Sequence, residues 1–252
     1  MSKYGWIRDI YDHRDIRYHV GAVHPLPLPD YDDLSITKYE PPIYNQLDLG
    51  ACTGNGVAHV FDFDRAAQDL PFLTPSRMAI YWDERKREHS PADEDTGAQI
   101  RTGIKVAAKG VGPESLWPYD TSKFAIKPPP TYYTEARVHK ALKYSRIGQA
   151  DYYIGHCLSI VKRPIVFGME VFKSIESEEV AKTGILPMPL ALESPIGGHC
   201  LVIVGRDVPN DRYKLRNSWG KEWGLNGYLW APRAYILSQL ASDFWVITQE
   251  TN

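Results

Sequence analysis

The stretch Gln46-Leu47-Asp48-Leu49-Gly50-Ala51-Cys52-Thr53-Gly54-Asn55-Gly56-Val57-Ala58 sets a glutamine six residues ahead of a cysteine. The cysteine opens a segment of helical period, with apolar side chains at Val57, Val60 and Phe61. Cys52 is therefore expected at a helix N-terminus, where unpaired backbone N–H groups and the helix dipole favour a thiolate. Gly54 and Gly56 each cost the helix about 1 kcal/mol against alanine. Their presence implies that something must approach the backbone closely.

A chain of 252 residues, 43% hydrophobic and 12% aromatic, is globular and long enough for one large domain or two lobes. The 29 basic and 31 acidic residues are well mixed and leave a formal charge of −2, so nucleic acid is not implied as a partner. Three cysteines, Cys52, Cys157 and Cys200, do not make a disulfide framework. The charged start Met1-Ser2-Lys3-Tyr4-Gly5-Trp6-Ile7-Arg8-Asp9 lacks the apolar run of a signal peptide, and no stretch reaches the roughly 18 apolar residues of a membrane span. These features point to a reducing compartment, cytoplasmic or associated with a virion or host. No Cys/His/carboxylate set has zinc spacing and no glycine loop has the phosphate-binding form, so no metal or cofactor is expected.

Residues 1–45 read as an arm with little regular structure, interrupted by Pro25, Pro27, Pro29, Pro41 and Pro42. His13, His19 and His24 within it are expected to be solvated loop residues. Residues 46–127 read as helical. The Cys52 helix should run to about Asp69, a second should start with Thr74 as cap and Pro75 in its first turn, and a third should carry Ile100, Ile104, Ala107 and Ala108 up to Gly110. After the Pro118 to Pro130 connector, residues 128–252 mix helices at 134–142 and 152–162 with strands at 164–172, 201–205, 213–216, 227–230 and 244–248. Helices first and strands later make an α+β fold with a cleft between two lobes. His59 should face the core or a neighbouring helix, and Gly155-His156-Cys157 reads as helix packing.

Three pieces converge on thiol chemistry. Gly197-Gly198-His199-Cys200 puts a histidine at the start of a buried strand, and Asn217 ends another, followed by Trp219. Imidazole suits a thiol partner near neutral pH, an amide oxygen orients the imidazole, and the Gln46 amide with the Cys52 backbone N–H suits a developing oxyanion. Cys52, His199, Asn217 and Gln46 together form a complete set for acyl transfer.

The chain resembles the papain family of cysteine peptidases. The resemblance lies in Gln46 with Cys52, in His199 entering an apolar strand, and above all in Asn217-Ser218-Trp219-Gly220 with Trp223-Gly224-Leu225-Asn226-Gly227-Tyr228; it extends from about residue 35 to the end. It implies a papain-like two-lobe α+β fold, with a helical lobe and an antiparallel β-barrel-like lobe flanking the cleft. It also implies a cysteine endopeptidase, acting through a thioacyl-enzyme on peptide or protein substrates and open to a protein inhibitor. Transfer of the acyl group to an amine on the same scaffold, and a non-catalytic binding homologue, are the alternatives. Leu49 stands where the family's common pattern has a bridging cysteine, and Thr53 where it has an aromatic. Those departures, with the Gly5-Trp6-Ile7-Arg8-Asp9 and Pro113 to Tyr119 strings, resemble the divergent bacterial and viral branch. By loose alignment Gly198 and Gly168 line a roomy main specificity pocket with Ser242 or Asp243 near its floor, an acidic floor suiting a basic side chain. The arm is longer than such an enzyme needs, so part of it should pack on the fold and restrict one end of the cleft.

With Leu49 in place of the bridging cysteine, the denatured protein should show no mass change on reduction. A gain of about two mass units per bridge would contradict this.

Overall fold

The computed structural model describes residues 4–21 and 26–250, so the expectations for His24 and Pro25 lie outside the described residues. At its centre is helix α1, Cys52–Ala67, buried along its length from Cys52 to Ala66. A helix covered on all sides needs partners for each of its polar side chains. Asp62 accepts from the Leu73 and Thr74 backbone N–H groups at 2.7 and 3.2 Å, Asp64 pairs with Arg163, and the His59 ring meets Glu40 at 2.9 Å. A Cβ on Gly56 would lie 2.8 Å from Cys200 Sγ and 2.9 Å from Val166, so this glycine lets α1 seat directly on the sheet. The close approach inferred from the glycines is thus met at Gly56 by the sheet and at Gly54 by the Arg77 backbone, where a Cβ would lie 2.8 Å from the carbonyl oxygen.

Helix α2, Arg77–Arg87, and helix α3, Ile100–Lys109, pack beside α1. The expected cap at Thr74 is displaced. Thr74 adopts φ 49°, its N–H being taken by Asp62, and Ser76 caps α2 instead by accepting from Ala79 N at 3.2 Å. Short strands β1, Trp6–Ile7, and β2, Tyr31–Asp33, lie within the arm, and β3, Ala98–Gln99, precedes α3. The arm therefore has more structure than its prolines suggested.

Helix α4 covers Pro130–Ala136 only, and Ala141–Arg146 is strand β4, where the sequence suggested helix to 142. Its backbone pairs with β9, and that tertiary pairing overrides local propensity. Helix α5, Asp151–His156, continues as a π turn over Cys157–Val161 and stops at Lys162 with φ 58°. There follow β5, Ile165–Val171; α6, Glu178–Thr183; β6, Gly197–Asp207; β7, Arg212–Arg216; β8, Tyr228–Pro232; α7, Arg233–Leu237; and β9, Ala241–Glu250.

The sheet runs β4-β9-β5-β6-β7-β8 with β2 added to β6, every pair antiparallel. Among the described residues these seven strands do not close into a barrel, so the barrel-like expectation reduces to a sheet. Its apolar face meets α1 in one core, in which Phe167 and Phe244 stack at 5.2 Å. Register fixes the chemistry: Met169 pairs with His199, Gly168 with Cys200 and Val202 with Arg216, which places His199 and Asn217 on adjacent strand ends.

Glu40, in the last part of the arm, ties these layers together. It accepts from Arg216 Nη1 at 2.6 Å and the Tyr228 hydroxyl at 2.7 Å, and its other oxygen meets His59. Burial pushes this carboxyl up, but His59 and Arg216 outweigh it and hold it at about 2. A depressed carboxyl contributes stability above the unfolded value near 4.5 that is lost as pH falls toward 2. Glu40→Gln should therefore cost about 3 kcal/mol in urea unfolding near pH 6, and much less near pH 3. An equal cost at both pH values would exclude the ionised carboxylate as the source.

Candidate active site

Cys52 is the first residue of α1, with Ala51 as cap, so its sulphur sits at the N-terminus of a 16-residue helix as the sequence implied. His199 enters from β6 and Asn217 follows β7. The His199 ring meets Asn217 Oδ1 through Nε2 at 2.9 Å, and the Ser218 backbone N–H donates to the same oxygen at 2.8 Å. An amide oxygen only accepts, so Nε2 carries the hydrogen and the neutral ring keeps its lone pair on Nδ1. That Nδ1 is buried and without a hydrogen-bond partner. Trp219 stacks on the imidazole at 4.9 Å and 27°, covering the bond to Asn217.

Gln46 is fully buried. Its side-chain amide donates to Leu49 O at 2.8 Å and its Oε1 accepts from Ser218 Oγ at 2.6 Å. Its backbone N–H donates to Ser218 O at 2.8 Å, while its carbonyl accepts from the Tyr119 hydroxyl at 2.9 Å. Ser218 thus joins Gln46 to Asn217 and His199 in one chain of hydrogen bonds, and the Cys200 backbone N–H reaches the Cys52 sulphur. Of the four residues read from the sequence, Gln46, Asn217 and His199 are joined through Ser218, and Cys52 meets this group through the backbone of Cys200, the neighbour of His199, with no hydrogen bond between the thiol and the imidazole.

Ser218, Tyr119 and Arg77 were not assigned roles by sequence. The Arg77 guanidinium lies over the Tyr44 and Tyr119 rings at 4.6 and 4.1 Å, and donates to Asn55 Oδ1 at 3.1 Å in the first turns of α1. It also pairs with Glu114 at 3.0 Å. The signal was present in the Ser218 of the Asn-Ser-Trp-Gly string and the Tyr119 of the Pro113 to Tyr119 string, which carried likeness without a function.

The arm lies on the centre itself, where the sequence suggested only one end of the cleft. Tyr4 meets the His199 ring edge-on at 6.0 Å and donates to Glu176 at 2.9 Å. Gly5 follows, its N–H directed at the Cys52 sulphur and its carbonyl accepting from Ala98 N at 2.7 Å. β1 then runs parallel to β3. The Trp6 indole fills the space between Gly168 and Gly198, where added Cβ atoms would come within 1.9 and 2.7 Å of its ring. Its Nε1 donates to Asp243 Oδ2 at 3.2 Å. Gly168, Gly198 and Asp243 thus all meet one side chain of the protein's own arm.

Covered in this way, the centre is electrostatically quiet. Burial pushes the Cys52 thiol up to about 12, against the Cys200, Gly5 and Thr53 N–H groups that favour the thiolate. Burial likewise pushes the His199 imidazole down to about 4, against its bond to Asn217. Raising the thiol and lowering the imidazole both disfavour the ion pair between them. The other cysteines, Cys157 and Cys200, are free and buried, and their thiols are also pushed up by burial. Among the described residues no His, Cys, Asp and Glu group is arranged to hold a metal ion, and no helix is long and apolar enough to cross a membrane.

Comparison with known proteins gives a consistent picture. The pattern of the papain family cysteine protease matches residues 96–244. An uncharacterized peptidase C1-like protein of Acanthamoeba polyphaga mimivirus is 45% identical over 218 residues, 82% of this chain and 70% of that protein. Xylellain, a cysteine protease from Xylella fastidiosa, superposes with a TM-score of 0.89 at 36% identity, over 98% of this chain and 96% of its own. A Carica candamarcensis cysteine protease, solved in complex with E-64, shares the fold with a TM-score of 0.66 at 18% identity, covering 88% of this chain and 99% of its own.

A Cβ on Gly5 would stand 1.7 Å from Gly50 O, a backbone atom held in place, so Gly5→Val must lift the arm without deleting it. Because a thiolate is the reactive form, iodoacetamide should modify Cys52 roughly a hundredfold or more faster in Gly5→Val than in the wild type near pH 7. Peptide mapping of the alkylated protein reads this directly. Equal rates would mean that the arm does not control the thiol.

Proposed function

Because the chain belongs to the papain family of cysteine proteases, we propose that it hydrolyses peptide bonds at Cys52 and that the covered arrangement is its latent form. Family membership supports the first statement, and one observation carries the second: the Gly5 N–H is directed at the Cys52 sulphur, with Tyr4 on the His199 ring and Trp6 against Gly168 and Gly198. The substrates are peptides or proteins, and nothing in the relatives supports transfer to an amine in place of water.

With the arm lifted and water admitted, the desolvation that separates the two pKa values is relieved, and the thiol proton passes to His199 Nδ1. The Cys52 thiolate attacks the scissile carbonyl. The Cys52 backbone N–H and the Gln46 amide hold the oxyanion, with Ser218 keeping the Gln46 side chain in orientation. His199 then delivers its proton to the leaving amine, forming a thioester, and afterwards activates the water that releases the acyl group. Asn217 keeps Nε2 protonated and the ring aligned, and Trp219 shields that bond.

Direction follows from these roles. The leaving amine must lie by His199, so a substrate runs with its acyl side in the pocket of Gly168 and Gly198 and its amine side near Trp219. The arm runs the other way, with Tyr4 by His199 and Trp6 in the pocket. At the sulphur it presents an N–H where cleavage requires a carbonyl carbon, so it blocks the site without being cut. The Trp6 indole also describes the pocket's preference: an aromatic or basic side chain able to donate to Asp243.

In the Gly5→Val background, Cys52→Ala and His199→Ala should abolish hydrolysis of a fluorogenic peptide library. Gln46→Ala should lower kcat by roughly 10² to 10³, and Asn217→Ala should leave measurable turnover. A peptidyl epoxide should label Cys52 stoichiometrically and spare Cys157 and Cys200. Hydrolysis by Cys52→Ala at the parent rate would refute the mechanism.

A further inference from the structure

Beyond Trp6 the arm is held by charge. Asp9 Oδ1 accepts from the Arg101 backbone N–H at 3.0 Å, and its Oδ2 accepts from Trp245 Nε1 at 2.9 Å and Arg146 Nη1 at 3.2 Å. Asp15 Oδ2 accepts from Arg101 Nε and Nη2 at 3.1 and 2.7 Å and from Arg146 Nη1 at 3.3 Å. Arg146 Nη2 also reaches Asp243 Oδ1 at 2.6 Å, so this cradle adjoins the floor of the Trp6 pocket. Apolar packing contributes little along the same segment. Ile10, Tyr11 and Ile16 are 73, 74 and 58% exposed, and cavities of about 350 and 280 Å³ border it.

The cradle itself belongs to the folded body. Arg101 lies on α3, Arg146 on β4 and Trp245 on β9, while Asp9 and Asp15 leave with the arm. Arg146 would then keep Asp243, and Arg101 would lose both carboxylates and the Ile10 carbonyl. Its guanidinium, covered now by the arm, would then be opened with its N–H groups unpaired, and Arg is the side chain suited to gripping carboxylates through paired N–H groups.

We propose that the cradle of Arg101, Arg146, the Trp245 indole and the α3 N-terminus is a substrate subsite that takes an acidic side chain once the arm has left. The inference rests on the peptidase reading. It also fixes where the acid lies: a substrate runs opposite to the arm, so the carboxylate belongs on a residue N-terminal to the one that fills the Trp6 pocket. Asp9 and Asp15 are the built-in stand-ins for that carboxylate. The segment chosen by the arm to close the site thereby displays the chemistry that the open site selects.

The test uses the full-length Gly5→Val protein and internally quenched peptides that share one scissile bond and one main-pocket residue. They differ only in carrying Asp or Asn at each position N-terminal to that residue. At one of these positions the Asp peptide should have a kcat/KM about tenfold or more above its Asn counterpart, consistent with a charge-assisted pair. The ratio should shrink as salt is raised and approach one in Arg101→Gln. Cleavage of the Asn peptides with no preference for Asp at any position overturns this inference and leaves the peptidase reading intact. Failure to cleave any peptide overturns both. Should Arg101→Gln not fold, the Asp-to-Asn ratio and its salt dependence in Gly5→Val decide the matter alone.

Discussion

The contact on which the architecture depends most is the buried carboxylate of Glu40. One oxygen serves Arg216, the residue before Asn217, and the other serves His59, two turns along the helix that Cys52 begins. A single side chain therefore sets the spacing between the helix that carries the thiol and the strand end that carries the amide. Hydrogen bonds to a charged acceptor are among the stronger ones, and a buried ion left without its partner is heavily penalised. The separation of the two elements is thus held by a group that tolerates little drift.

Within that frame the reactivity of the centre is decided by access to water. The hydrogen bonds from Ser218 to Gln46 and from His199 to Asn217 are in place while the arm is down. What is missing is the link between thiol and imidazole and their ionisation, since His199 Nδ1 has no hydrogen-bond partner and burial raises the thiol and lowers the imidazole. In the proposed mechanism the Gln46 amide, already held by Ser218 and Leu49, would not have to be assembled when the arm moves. Preorganised dipoles of this kind require no rearrangement at the moment of reaction.

Much of this was legible in the sequence because the chemistry is written in short strings. Cys52 opens an amphipathic period, His199 enters an apolar strand, and Asn217 begins a run of tryptophans and glycines, each readable without long-range contacts. Strand β4 was misread because Ala141 to Arg146 has no local strand signal, and its pairing with β9 lies about a hundred residues away. The cap of α2 falls at Ser76 because Thr74, held by Asp62 on another element, takes φ 49° while Ser76 keeps the extended backbone a cap needs. The resting place of the arm was illegible for the same reason: Trp6 meets Asp243 across 237 residues, and nothing in either neighbourhood announces the other. Charge states were hidden as well, since helix position argues for a low thiol pKa while burial, a property of the whole fold, argues for a high one.

The reversed course of the arm carries a consequence for how long latency can last. An inhibitor cut by the enzyme it blocks is consumed, and one supplied by another molecule is lost on dilution. On the latent reading proposed above this segment is neither, since it offers the sulphur an N–H and stays joined to the chain through β2 on the same sheet. A tethered ligand has an effective concentration set by its linker and unaffected by how much protein is present. The closed and open forms are then related by an equilibrium within one molecule, and closure can be recovered whenever whatever displaced the arm departs.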